Sequence, residues 1–181
     1  MWPELLEDYK RYVDIYEEDL DETLTLVLEF AEEFIYANYN ISIFDRTITE
    51  PLRGTYGMYL LYTSKGVIRE IDNLVIDDQV VLPTNLKFHL NSITVRDLTV
   101  VISQYSDIEI TYSVGYENYA DVPKALVNAL FILAKKLFND ARKDTDTLTS
   151  ISLDIKESIR VLEDIPVMAK QSLEPYRVYR I

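Results

Sequence analysis

Two periodicities meet at one glycine in residues 107 to 138, DIEITYSVGYENYADVPKALVNALFILAKKLF, and they constrain the fold more than any other feature. In residues 107–114 apolar and polar side chains alternate, which predicts a strand with one buried face. From residue 126 onward, apolar residues recur every three or four positions, which predicts an amphipathic helix running to about Lys143. Its apolar stripe consists of Leu126, Leu130, Leu133, Leu137 and Ala141.

Three other segments have helical spacing. Residues 3–12 form a short amphipathic segment with Pro3 in its first turn, where proline is well tolerated. Residues 19–38 carry acids in the first turns, where the helix dipole favours them. The apolar positions of this second helix are Leu20, Leu24, Val27, Ala31, Phe34 and Ile35. A last helix begins near Pro166 and ends before Pro175, since proline cannot continue a helix.

Between the second and third helices, residues 41–114 contain short β-branched and aromatic segments separated by turn residues. The predicted strands are 58–63, 66–76, 79–83, 86–90, 98–103 and 107–114. We therefore predict an α+β fold in which a bundle of about four helices carries an inserted small antiparallel β-sheet or partial barrel. The predicted domains are a helical bundle of residues 1–40 and 115–175, a β insertion of residues 41–114, and an extended tail of residues 176–181.

The net charge of −13 is unevenly distributed. Residues 1–36 hold 12 acidic and 2 basic side chains, a balance of −10, whereas residues 151–181 hold 5 of each sign. A face this negative repels phosphate, so it disfavours a surface that grips DNA. An acidic protein that mimics DNA and inhibits a DNA-binding protein is an alternative, although such a mimic is expected to spread its acids along the whole chain.

Reactive groups are scarce in the sequence. Cysteine is absent, which excludes disulfides, thiolate catalysis and cysteine-ligated zinc. The single histidine, His89, lies in a predicted strand without a visible catalytic partner. We therefore predict that the protein is not an enzyme and holds no metal or cofactor. No apolar run reaches the roughly 18 residues of a membrane span, so we expect a soluble protein made in the cytoplasm.

The last six residues, YRVYRI, follow Pro175 and are too few to form a core of their own. They combine tyrosine, arginine and apolar residues, and tyrosine and arginine are enriched in binding hot spots. An extended tail of this kind can join the edge of a partner's sheet or lie in a groove. The alternative is a terminal strand that folds back on its own domain.

The order of elements and two motifs resemble the head-tail connector (adaptor) proteins of tailed bacteriophages. The first motif is V/I-x-Y-x-x-G-Y…VP-x-x-L-x-x-A, here Ile110, Tyr112, Gly115, Tyr116, Val122, Pro123, Leu126 and Ala129. The second is L-x-PYR, here Leu173, Pro175, Tyr176 and Arg177. The resemblance covers nearly the whole chain, but the long β region distinguishes this protein from the smaller, purely helical members.

The resemblance implies a structural virion protein of the neck, made in the host cytoplasm. Such a protein forms a ring, dodecameric in the family, that docks under the portal and meets the tail or stopper, while double-stranded DNA passes through without sequence-specific binding. The implied portal-binding residues are Leu173, Pro175, Tyr176, Arg177, Tyr179, Arg180 and Ile181.

Two further sets of residues are assigned roles in this ring. An acidic wall repels phosphates and lets the duplex slide, so we expect part of the acidic cluster to face the channel. The cluster consists of Glu17, Glu18, Asp19, Asp21 and Glu22. We also expect a structural junction between the β insertion and the bundle, formed by Tyr112, Gly115, Tyr116 and Pro123.

Overall fold

The computed structural model describes residues 1–54, 59–96, 99–143 and 165–178. In this part of the chain the fold is α+β, with four α-helices and two small antiparallel sheets. The helices are α1 (Pro3–Val13), α2 (Asp21–Tyr39), α3 (Lys124–Lys143) and α4 (Val167–Leu173). The strands are β1 (Arg46–Arg53), β2 (Leu60–Tyr62), β3 (Ile68–Ile76), β4 (Gln79–Val80), β5 (Leu86–His89), β6 (Ser92–Val95) and β7 (Asp107–Val114).

The chain divides into two compact units, each built from separate stretches of sequence. The helical unit comprises Met1–Tyr39 and Asn118–Pro175, and the β unit comprises Asn40–Glu117 and Tyr176–Ile181. Residues 176–178 therefore group with the strands rather than with the helix that precedes them.

The helical unit is held together by apolar faces of α2 and α3, which pack against each other, and α4 packs on α3. Leu126, Leu130 and Leu133 of the predicted stripe are buried and Leu137 is half-buried, while the side chain of Ala141 lies outside the described part. On α1, the buried ring of Tyr9 lies 5.3 Å from the ring of Phe131, measured between centroids. Aromatic packing of this kind adds to the stabilisation that burial of apolar area provides.

The β unit contains two sheets over one hydrophobic core. A four-stranded sheet has the order β1-β7-β3-β4, and a three-stranded sheet has the order β2-β6-β5. Residues from both sheets contribute to the same cluster of buried apolar side chains. The core-facing residues of β7 are all fully buried, as the alternating pattern predicted, and they are Ile108, Ile110, Tyr112 and Val114.

The predicted strands need three corrections. The sequence did not predict β1 or β6, and the predicted strand at 98–103 is wrong because its described residues, 99–103, lie in a loop. Val100 and Ile102 are buried and Val101 is exposed, so the alternation is real. The backbone of this loop bonds locally, with the Ser103 N–H donating to Ser106 Oγ at 3.0 Å instead of to a neighbouring strand.

The missed strand β1 contains Pro51 and several charged residues, which disfavour a central strand. It lies at the edge of the four-stranded sheet, where a proline is tolerated. Residues 144–152, DTDTLTSIS, are polar and β-branched, which predicts a loop, and they lie outside the described residues.

Within residues 1–54, 59–96, 99–143 and 165–178, no helix combines the length and the apolar character needed to cross a membrane.

Candidate functional site

The turn that follows β7 requires glycine at position 115. Gly115 has φ +84°, a backbone conformation that residues with a Cβ rarely adopt. A Cβ at this position would lie 2.1 Å from the carbonyl oxygen of Phe44. The next residue, Tyr116, donates its N–H to the Ile43 carbonyl at 3.1 Å and forms an isolated parallel bridge with Phe44. Residues 43–44 therefore lie directly beside the residue that follows the turn at Gly115.

An arginine on β3 forms ion pairs with the chain segments on both sides of this contact. Arg69 Nη2 lies 2.8 Å from Asp45 Oδ1, and Arg69 Nη1 pairs with Glu117. The arginine side chain is 28% exposed, so each pair alone is screened and contributes little. Their combined effect is to join three chain segments around the turn at Gly115. No local pattern in the sequence marks Arg69, because its partners lie 24 and 48 positions away.

Tyr112 supplies a buried hydroxyl to the core of the β unit. Its Oη donates to Glu50 Oε1 at 2.8 Å, and Glu50 Oε1 also accepts the Ser64 N–H at 2.7 Å. Burial, followed by the hydrogen bond to the Glu50 carboxylate, raises the pKa of Tyr112 well above its ordinary value. The hydroxyl is therefore protonated at neutral pH and acts as a structural donor.

The remaining junction residue, Pro123, directly precedes α3. Its carbonyl oxygen accepts the N–H groups of Leu126 at 2.9 Å and Val127 at 3.2 Å, which are first-turn donors of the helix. Proline has no N–H of its own and therefore leaves no donor unsatisfied at this position.

A surface cavity of about 380 Å³ opens in the helical unit beside α1 and the first turns of α3. Its wall includes a hydrogen bond from Tyr119 Oη to Asp8 Oδ2 at 2.8 Å, and Trp2 lies near Tyr119 with 6.1 Å between the ring centroids. The lining is mixed polar and apolar, as is typical of surfaces that contact protein. The lining residues are Asp8, Tyr119, Ala120, Val122, Lys124, Val127, Asn128 and Phe131.

The Asp8–Tyr119 hydrogen bond makes stability depend on pH at the alkaline end. Burial, and then the bond to the Asp8 carboxylate, raises the pKa of Tyr119 from 10.0 to about 12. Because the folded state holds the proton more tightly, this stabilisation is complete below pH 10.0 and is lost as the pH rises towards 12. We expect the thermal midpoint of Tyr119→Phe to fall less between pH 10.0 and about pH 12 than that of the unchanged protein.

The matched control for this prediction is Tyr16→Phe, because Tyr16 is 64% exposed on the same unit. Its pH profile should follow that of the unchanged protein. Equal alkaline slopes for Tyr119→Phe and the unchanged protein would show that the Asp8–Tyr119 bond does not carry the effect.

Histidine and carboxylate side chains are the groups of this chain that could support metal or acid–base chemistry. His89 is exposed at the end of β5. Among the residues that the structure describes, no three His, Asp or Glu side chains are close enough to hold a metal ion.

The acidic cluster lies on the single turn of 3₁₀-helix at Glu18–Leu20 and on the first residues of α2. Its members differ in environment. Asp21 Oδ1 accepts from Lys10 Nζ at 2.6 Å, and the Lys10 side chain is only 7% exposed, so this carboxylate helps to hold α1 beside α2. The exposed members are Glu17, Glu18, Asp19 and Glu22.

The C-terminal residues fall into three environments. Leu173 is fully buried in the helical unit, whereas Pro175 and Arg177 are exposed and Tyr176 is half-buried. Val178 is buried in the β unit, so this residue packs on its own chain. Tyr179, Arg180 and Ile181 lie outside the described residues.

At one end of the four-stranded sheet, the β3–β4 turn lies beside the start of β7. Asp77 and Asp107 bond reciprocally there, with the Asp77 N–H donating to the Asp107 carbonyl and the Asp107 N–H donating to Asp77 Oδ1, both at 2.8 Å. The β3–β4 connection and the loop before β7 both reach this end. Four large apolar side chains are exposed in the β unit: Val80 of β4, Leu82 two residues further, and Val101 and Tyr105 in the loop before β7.

No protein-family model and no curated protein sequence matches the chain. Solved structures do match it. A chain in the neck of the empty GTA particle, computed with C6 symmetry, is 14% identical with a TM-score of 0.64, over 99% of this chain and 91% of that one. A chain in the virion of the native gene transfer agent (GTA) particle gives the same values.

A third match is a chain in the neck of the native GTA particle, computed with C12 symmetry. It is 14% identical with a TM-score of 0.62, over 97% of this chain and 89% of that one. Likeness at this identity establishes the fold. Over nearly its whole length the chain therefore has the fold of a chain in the neck of a phage-like gene transfer agent particle, which confirms, at the level of the fold, the resemblance to head-tail connector proteins.

Proposed function

We propose that this chain is a structural protein of the neck of a phage-like particle, where it forms a ring between the portal and the tail or stopper. The observation that supports this most strongly is the shared fold with a chain in a particle neck over 99% of this chain. The ring encloses a channel through which double-stranded DNA passes.

The proposed ring is made of identical subunits. A chain of similar fold in a neck computed with C12 symmetry supports a ring of twelve, and another occurs in a neck computed with C6 symmetry. A closed ring with more than two subunits uses a heterologous interface, so each subunit needs two different complementary surfaces. The exposed apolar residues Val101 and Tyr105 of the β unit are candidates for one contact with a neighbouring neck protein.

The acidic cluster is proposed to line the channel. Its four exposed carboxylates follow one another over six residues, 17–22, so they form a local patch of negative charge. Negative charge on the wall repels the DNA phosphates and keeps the duplex from binding during passage. Asp21 contributes less to this field because Lys10 neutralises it.

The portal contact is proposed to involve the C-terminal residues. Pro175 and Arg177 are exposed and lie next to Tyr179, Arg180 and Ile181 in sequence. Arginine and tyrosine are common among residues that dominate binding energy. In this proposal the buried Leu173 and the half-buried Tyr176 pack on the chain itself and thereby position the exposed residues beside them.

Imaging of the protein mixed with its portal protein tests the proposal. We expect a ring coaxial with the portal, with residues 17–22 facing the channel. Deletion of residues 179–181 combined with Arg177→Glu should abolish portal binding, because it removes the proposed contact residues. The chain should stay folded, because the buried residues Leu173 and Val178 remain in place. The matched control is Lys170→Glu, which makes the same charge change at an exposed position of α4.

Other outcomes have distinct meanings. A ring with residues 17–22 on its outer rim would refute the channel assignment alone. Unchanged binding by the tail variant would refute the portal contact alone. No ring, together with tight binding to a DNA-binding protein, would favour the acidic mimic, which the net charge of −13 also suggests.

A further inference from the structure

Residue Asn40, which directly follows α2, bonds to two distant parts of the chain. It has φ +58°, a conformation that asparagine tolerates better than most residues. Its Nδ2 donates to the carbonyl of Val178 at 2.9 Å, across 138 positions of sequence. Its Oδ1 accepts from Lys65 Nζ at 3.0 Å, and its carbonyl accepts the Gly66 N–H at 3.0 Å. Asn40 therefore holds the turn at residues 65–66 and the C-terminal segment together.

Gly66 provides the space in which the side chain of Val178 sits. A Cβ built on Gly66 would lie 2.7 Å from Val178 Cγ2, closer than carbon atoms approach. Val178 is 4% exposed, and its β-branched side chain has few alternative rotamers. The absence of a side chain at residue 66 is therefore what admits Val178.

Backbone hydrogen bonds fix the walls of this space. The Ser42 N–H donates to the Gly66 carbonyl at 3.2 Å, and the Ile68 N–H donates to the Leu90 carbonyl at 2.7 Å. Thr63 Oγ1 donates to the Lys65 carbonyl at 2.7 Å. The space is thus part of the hydrogen-bonded framework of the β unit and does not depend on one flexible side chain.

We propose that Asn40, Lys65 and Gly66 form a binding slot whose ligand is the C-terminal segment Tyr176–Val178 of the same chain, so that this segment is a strap completing the β unit. Residues 40–117 are synthesised long before residue 178, and the slot is filled only when the whole chain is present. Chains that end before residue 176 consequently present an incomplete β unit. The inference stands on these contacts and does not depend on a role in the neck.

A double-mutant cycle in the full chain tests the slot. Gly66→Ala should displace Val178, and Val178→Ala should remove the methyl groups that fill the slot. Each change should accelerate hydrogen exchange of the Gly66 and Ser42 amides by about tenfold and lower the thermal midpoint of the β unit by about 5 °C. The thermal midpoint of the double variant should fall by clearly less than the sum of the two single-variant shifts, because the new Cβ then enters vacated space.

Two controls accompany the cycle. Arg177→Ala changes the exposed neighbour of Val178 and should leave exchange at Gly66 unchanged. Amides in α2 and α3, such as those of Leu28 and Leu130, should keep their exchange rates in every variant. Strictly additive effects of Gly66→Ala and Val178→Ala would overturn the proposal, since the two positions would then not be in contact.

Truncation with a peptide added in trans tests the ligand directly. A chain ending at Val178 should exchange like the full chain, whereas a chain ending at Pro175 should lose protection at Gly66 and Ser42. The synthetic peptide YRVYRI should restore that protection, and the peptide YRDYRI should not. Equal protection in the two truncated chains, or equal rescue by both peptides, would overturn the proposal. Neither result would bear on whether the protein forms a ring.

Discussion

Replacement of Leu130 by aspartate is expected to leave the helical unit unfolded. Leu130 is fully buried in the middle of α3, and Ala129, Leu133 and Ala134 beside it are fully buried as well. The change removes about 1.5–3 kcal/mol of apolar burial and adds the cost of an unpaired carboxylate in the core. The free energy of unfolding should fall by about 5 kcal/mol or more, which is comparable to the total stability of many domains. Loss of helical circular dichroism is the measurement.

The matched control is Asn128→Asp, which places the same carboxylate on the exposed side of the same helix. Its free energy of unfolding should stay within about 0.5 kcal/mol of that of the unchanged protein. A native-like urea midpoint for Leu130→Asp would mean that this part of α3 does not face the core.

Periodicity predicted the elements that bury one face. On β7 every second residue from Ile108 to Val114 is buried because the strand lies between β1 and β3 over the core. On α3 the burial of Leu126, Leu130 and Leu133 follows the helical repeat because the helix packs against α2 on one side and leaves the other exposed. Each pattern repeats within a short window, so the sequence alone reveals it.

Alternation in residues 98–103 led to a wrong strand for a physical reason. Burial of alternate side chains requires only an extended segment lying on the core, and a loop satisfies that requirement as well as a strand. What separates the two is where the backbone hydrogen bonds go. The bonds between Ser103 and Ser106 occupy the loop backbone locally, and their geometry is not visible in a pattern of apolar residues.

Residues that act through distant partners were also beyond sequence analysis. Arg69 pairs with Asp45 and Glu117, and Asn40 bonds to Val178, but no local pattern links these positions. The tail illustrates the consequence. Its composition suggested binding, yet Val178 binds the same chain. Of its described residues, Arg177 is exposed.

The two periodicities of the sequence meet at Gly115, and the structure shows why the turn at this position needs glycine. Replacement of Gly115 by alanine is expected to lower the free energy of unfolding by about 3–4 kcal/mol. Part of the loss comes from φ +84°, which alanine disfavours. The larger part arises because the new Cβ would lie 2.1 Å from the Phe44 carbonyl oxygen, so residues 43–45 must shift. That shift breaks the bond from the Tyr116 N–H to the Ile43 carbonyl.

Gly115→Asn separates the two causes, because asparagine tolerates a positive φ better than alanine but carries the same Cβ. If the contact with Phe44 dominates, both variants should lower the urea midpoint by similar amounts. Asn118→Ala is the control, since it removes one exposed hydrogen bond to Asp121 three residues beyond the turn. Near-normal stability of Gly115→Asn beside an unstable Gly115→Ala would assign the requirement for glycine to φ. Residues 43–45 would then be able to shift away from the new Cβ at little cost in stability.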